Sequence, residues 1–180
     1  CSSDLLTSSD TQHPYFIKAN NKLAHVNRTI QSKGWWFNRA TRTLNPNVNG
    51  EVILPSNTLH ADPVDRRDRL TIRGKRLYDL DNATAALHRP VKIVFVELVP
   101  YADLPPTAAE YISAEAVYTF YRDEDGVMPK LGEYKSARTE AWANFKAEHL
   151  RNADVNYFDG GSFAQMQRGV RARRLPLSDN

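Results

Sequence analysis

One cysteine, Cys1, stands at the very start of this 180-residue chain, and no second cysteine follows for it to pair with. That excludes an internal disulfide framework and any cysteine-based zinc site, and it fits a reducing compartment. No stretch approaches the roughly 18 consecutive apolar residues that a membrane span requires. The opening Cys-Ser-Ser-Asp has neither a charged nor an apolar leader segment, so no signal peptide is expected. It also carries no initiator Met, so the natural N-terminus is expected to lie upstream. Glycine is scarce, 8 in all, and no glycine-rich phosphate loop precedes a helix. No serine sits in a nucleophile elbow. The five histidines, His13, His25, His60, His88 and His149, never recur at the i, i+4 spacing of a helical zinc site. Charge of one sign is missing too: the net charge is only +3 despite a pI near 9.0, which argues against a general nucleic-acid sponge.

What is present suits one globular domain spanning residues 1–180, with 41% hydrophobic and 25% charged residues. The chain is organised around Ala19 to Asn38. Ala19, Leu23, Val26 and Ile30 recur at steps of four, three and four and so share one helical stripe. Pro14 suits the first turn, Lys33 the C-terminus, and Gly34 the left-handed residue after it, so a helix is expected over about 14–33. Trp35, Trp36 and Phe37 follow at once.

From Arg39 to Pro100 the pattern changes to β. Asn45-Pro46-Asn47 and Asn49-Gly50 are turn signals, followed by a short β-prone run from Glu51 to Leu54. Thr58 to Ala61 reads as another short strand, and Asp62 to Asp68 as a solvated loop. Leu70 and Ile72, then Tyr78 and Leu80, flank Arg73-Gly74-Lys75-Arg76 as a hairpin. Val91 to Val99 is the strongest strand, apolar nearly throughout. A second helix is expected over about 107–122, with Thr107 and Glu110 at capping-box spacing. Ile112, Ala116, Val117 and Phe120 form one of its stripes, and Tyr111, Ala114, Tyr118 and Tyr121 a neighbouring one, so it reads as central. Asp123 to Gly126 is a turn, and Pro129 opens a third helix to about 152 with the stripe Leu131, Tyr134, Ala137, Ala141 and Phe145. An aperiodic C-terminal arm occupies 154–180. The expected fold class is α+β: a bundle of three or more helices with an inserted antiparallel β region and an extended arm.

Catalytic, cofactor and metal constellations do not emerge. Asp62, Asp65 and Asp68 alternate with Arg66, Arg67 and Arg69, which reads as local charge balance. Asp123, Asp125 and Gly126 lack the distal glutamate of a calcium loop. Glu97 is the one acid inside a strongly apolar strand and so the one candidate for a raised carboxyl pKa. Two basic features suit partner contacts: the tip Arg73-Gly74-Lys75-Arg76, and an arm holding Arg168, Arg171, Arg173 and Arg174. Candidate partner-binding residues are Trp35, Trp36, Tyr157, Phe158, Phe163 and those four arginines.

Asn27 to Asn38, read as N-R-x-I-Q-S-K-G-W-x-F-N, resembles the signature of the tail tubular protein A family, the tail adaptors or head-to-tail connectors of short-tailed bacteriophages. The likeness continues in order through the β region, Tyr101 to Pro105, the helix bearing Tyr118-Thr-Phe-Tyr121, and Ala153 to Tyr157. It spans about residues 19–160. Members usually begin with a further helix, which this chain does not show. The resemblance implies a structural, non-enzymatic virion protein of the tail or neck, assembled in the host cytoplasm. It further implies a homo-oligomeric ring, a dodecamer, with portal protein above, the tail nozzle protein below and genomic double-stranded DNA passing through the lumen. It implies neither membrane nor cofactor. Two rival readings are a tail-associated saccharide or peptidoglycan hydrolase using Glu97, and a nucleic-acid-binding protein using the hairpin tip and arm.

Overall fold

The computed structural model describes residues 13–65, 67–124 and 128–159. Helix α1 covers Pro14–Gln31, with proline in its first turn and the His13 Nδ1 accepting from the Tyr15 N–H at 3.3 Å. It ends two residues before the expected Lys33: Ser32 is the cap, and Gly34 takes the left-handed conformation at φ 75°. Val26 and Ile30 are buried and Leu23 is half-buried, whereas Ala19, the first residue of the expected stripe, is exposed.

Five strands follow: β1 Arg39–Leu44, β2 Thr58–Pro63, β3 Leu70–Arg73, β4 Arg76–Asp79 and β5 Val91–Glu97. Three of them form an antiparallel sheet in the order β1-β5-β2, and β3 pairs with β4 as a separate hairpin. The hairpin turns through Gly74 at φ 66°, as the sequence suggests. Two β expectations need correction. Strand β1 has no apolar alternation beyond half-buried Ala40 and Leu44, so nothing local marks it; its ladder with β5 creates it. The run Glu51 to Leu54 forms no strand. Glu51 and Ile53 make only single bridges to Ala86 and Arg76, while Val52 and Leu54 point into the core. Strand β2 also extends to Pro63, taking in Asp62 and Pro63 from the expected loop.

A short 3-10 turn at Tyr101–Asp103 leads into α2, Pro106–Glu124, which packs against both α1 and α3, Met128–Asp159. The central helix is therefore as expected, but its start is not a capping box. Pro106 begins the helix, and the Thr107 hydroxyl donates to the Glu148 carboxylate on α3. Asp123 and Glu124 close α2 rather than forming a turn. Helix α3 runs to Asp159, beyond the expected 152, so residues 154–159 are helical where an arm was expected. Two cores result. The helical one joins Val26, Ile30, Trp35, Tyr111, Ile112, Ala141 and Phe145; the β one joins Val52, Leu54, Ala61, Leu77, Val91, Ile93 and Phe95. Among the described residues the fold is α+β, with three α-helices and antiparallel sheets.

Candidate assembly surfaces

The Trp35 ring lies on Phe145 with centroids 4.4 Å apart and meets Trp142 and His149 edge-on at 5.9 and 5.0 Å. Its indole N–H donates to the Ile30 carbonyl at 2.7 Å, one of the orphan acceptors of the α1 C-terminus. Trp35 is thus a plug, 7% exposed, that closes one end of the helical body. Trp36 is half-buried against Phe145 and His149, with Phe37 beside it. Of the two candidate tryptophans, the structure places Trp35 inside and leaves Trp36 partly accessible. A side chain at residue 34 would sit 3.0 Å from Val96 Cγ2, so the chain can pass the sheet here only as glycine.

The opposite end of the body is open. Ala19, Leu23, Ala116, Val117, Phe120, Tyr121 and Tyr134 line an apolar groove of about 340 Å³ between the three helices. Beside it stand Tyr15, Phe16 and Ile17, exposed at 55, 40 and 49%, and Val117 at 47%. Ion pairs Lys18–Glu124 at 2.9 Å and Lys22–Asp123 at 2.7 Å tie α1 to the end of α2 along the same rim. Hydrogen bonding to Lys22 and then Arg122 holds the Asp123 carboxyl below its ordinary pKa, and Glu124 raises that of Lys18. The rim charges are therefore paired with one another. Periodicity alone missed this surface. The visible signal was the run Tyr15-Phe16-Ile17, three large apolar residues that no single helical face can hide.

Deeper on α2, Glu115 accepts from the Arg138 Nε at 2.5 Å and from the Tyr111 hydroxyl at 3.2 Å. Burial, followed by the Glu115 charge, raises the Tyr111 hydroxyl above its usual pKa, and Glu115 raises that of Arg138. This is a structural tie between α2 and α3.

In the β region the nominated acid does not stand alone. Glu97 accepts from Arg42 at 3.0 Å across the sheet, which gives it an ion-pair partner on β1. At the hairpin tip, Arg73 lies 3.7 Å over the Tyr78 ring and Arg76 is paired with Glu51, leaving Lys75 as the projecting cation. His60 faces Asp62 at 3.0 Å. No group of histidine, cysteine or acidic side chains among the described residues is arranged to hold a metal ion. No helix among them is long and apolar enough to cross a membrane. Tyr157 and Phe158 fall within α3, and Phe163, Arg168, Arg171, Arg173 and Arg174 lie outside the described residues. The structure therefore sets Trp35 and Trp36 against the same two rings, Phe145 and His149.

A family model described as tail tubular protein matches residues 5–155. The chain is similar to tail tubular protein A of Klebsiella phage KP34, at 27% identity over 143 residues, covering 79% of this chain and 77% of that protein.

Proposed function

The chain belongs to the tail tubular protein family, and from that premise we propose that it is a structural component of a bacteriophage tail that serves as an adaptor ring. The observation that carries the reading is the match over residues 5–155, which takes in both the helical body and the β region. The finer assignment is a homo-oligomeric ring between portal and nozzle, with the ejected double-stranded DNA passing through it. The similarity to a phage tail tubular protein A supports it. So does the open end of the helical body: an apolar groove, with exposed Tyr15, Phe16 and Ile17 on the preceding turn of α1, is apolar surface that no described residue covers. A ring needs two different flanks on each copy, and this chain offers several dissimilar surfaces.

We assign it no catalytic activity. Glu97, the nominated acid of a hydrolase, is ion-paired with Arg42, and two of the three cations at the hairpin tip are engaged by Tyr78 and Glu51. Neither rival reading gains a site. The test is imaging of the protein mixed with the portal of a short-tailed phage. Rings seated beneath the portal are expected; a protein that stays monomeric and unattached overturns the adaptor assignment. The C-terminal arm is proposed as the portal-docking element, on the strength of its apolar residues interspersed with arginines. Truncation after Asp159, which leaves α3 whole, should abolish portal binding, and unchanged binding would remove the arm from that role.

A further inference from the structure

Strand β5 is paired with β1 as far as Val96 opposite Arg39. Past that register the chain before β1 turns away towards α1, yet the pairing of β5 continues. The Glu97 N–H donates to the Asn38 carbonyl at 2.9 Å, and the Asn38 side-chain amide donates back to the Glu97 carbonyl at 3.0 Å. Two residues on, the partner is no backbone at all. The Gln31 side-chain Oε1 accepts from the Val99 N–H at 2.8 Å, and its Nε2 donates to the Val99 carbonyl at 2.9 Å. A primary amide carries the same donor and acceptor pair as a peptide group, so Gln31 does for Val99 what an opposing strand residue would do. Its second proton goes to Asn27 Oδ1 at 2.8 Å. Asn38 also donates to the Gln31 carbonyl at 2.9 Å, and its Oδ1 accepts from the Trp35 N–H at 2.8 Å. Gln31 is 0% exposed and Asn38 is 4% exposed. Two buried amides are thus satisfied by one another and by the strand end.

We infer that Gln31 and Asn38 are positioning residues that form a splint, carrying the β5 ladder onto α1 and fixing the angle between helical body and β region. The two bodies have separate cores, with Val99 beyond β5 packing against the helical one; the directional bonds at this seam fix the angle that such non-directional packing tolerates. The residue types follow from this role. Leucine at 31 would orphan both groups of Val99, and asparagine would fall one methylene short. This accounts for why the most distinctive stretch of the chain ends in polar residues that touch no outside surface. The splint goes beyond the adaptor reading; only its purpose, giving every copy in a ring the same angle, rests on that reading.

The test is Gln31→Leu in the isolated chain, read by amide exchange at Val99 and by residual dipolar couplings of the two bodies. Val99 should exchange about tenfold faster or more, as for the loss of one buried hydrogen bond. The bodies should then require separate alignment tensors, while the Ile112 amide keeps its protection. Retained Val99 protection with a single shared tensor overturns the inference. Should Gln31→Leu fail to fold, Gln31→Met makes the same comparison with a side chain of matching length: its thioether offers the Val99 N–H only a weak acceptor and the Val99 carbonyl no donor. The same loss of Val99 protection and of the shared tensor is expected, and retention of both overturns the inference. None of these readouts depends on ring formation, which the imaging of the unaltered protein with portal decides separately.

Discussion

The two ends of the helical body are built from the same kinds of residue and treated in opposite ways. At one end Trp35 is driven between Trp142, Phe145 and His149, its indole N–H satisfied by Ile30, and the neighbouring amides are saturated. At the other end Tyr15, Phe16 and Ile17 stand in solvent beside a groove lined by Leu23, Phe120, Tyr121 and Tyr134. Aromatic content therefore does not identify a contact surface. What separates the ends is burial: the aromatic residues of one are packed and hydrogen-bonded, and those of the other line an accessible groove. The closed end couples the body to the β region.

Three substitutions would sharpen or break this contrast. Trp35→Ala removes the plug and should cost about 3–5 kcal/mol, since a large aromatic side chain leaves a cavity that helices anchored elsewhere cannot fill. Urea unfolding followed by far-UV dichroism measures it, and a loss below about 1 kcal/mol would show that the closed end is not a true core. Val117→Asp, at the open end, should change stability by no more than about 0.5 kcal/mol, as for an accessible surface site. It should nonetheless reduce ring formation with portal. A stability loss as large as that of Trp35→Ala would mean that the groove is already covered in the isolated chain, and the contrast fails.

The smallest effect concerns the rim. The Asp123 carboxyl has a folded-state pKa below its ordinary value, so its contribution is present above the ordinary carboxylate pKa and is lost as pH falls through the lowered value. Lys18 behaves in the opposite sense: raised by Glu124, its contribution is present below the ordinary lysine pKa and fades as pH rises through the raised one. Both groups are solvent-exposed, so salt screens them. Asp123→Asn should flatten the acid limb of the stability–pH curve slightly at low salt and not at high salt. An unchanged acid limb at low salt would remove Asp123 from the linkage.

Legibility followed the range of the forces involved. Helix α1, the hairpin turning at Gly74 and the strand from Val91 were readable because proline, positive-φ glycine and continuous apolar runs act on the local backbone. Strand β1 was not, since a polar Arg-Ala-Thr-Arg-Thr segment becomes a strand only when β5 offers it a ladder. Glu51 to Leu54 misled for the converse reason. Its β-branched residues fit a pleated surface, but single bridges at Glu51 and Ile53 leave Val52 and Leu54 as core anchors of a loop. Thr107 and Glu110 had the right spacing for a cap, yet the helix begins at Pro106, which puts Thr107 inside its first turn, where the hydroxyl donates to Glu148. Trp35 and Trp36, both candidate contact residues, divide into a plug and a half-exposed neighbour, and which would be which was not visible in the sequence.

The stretch from Asn27 to Asn38 separates what the two levels decide. By itself the sequence determined that a helix ends there, that Gly34 must follow it, and that aromatic residues are delivered at that point, because helix propensity, capping and φ restrictions are properties of a few consecutive residues. It also carried enough of a pattern to place the chain in its family. Only the tertiary structure decided that Gln31 would be buried at the seam, that its amide would stand in for a strand against Val99, and that Ala19 at the start of the same stripe would be left in the open. Those outcomes depend on where residues some 60 to 70 positions later arrive, and a hydrogen bond or a packing contact exists only once both partners are in place.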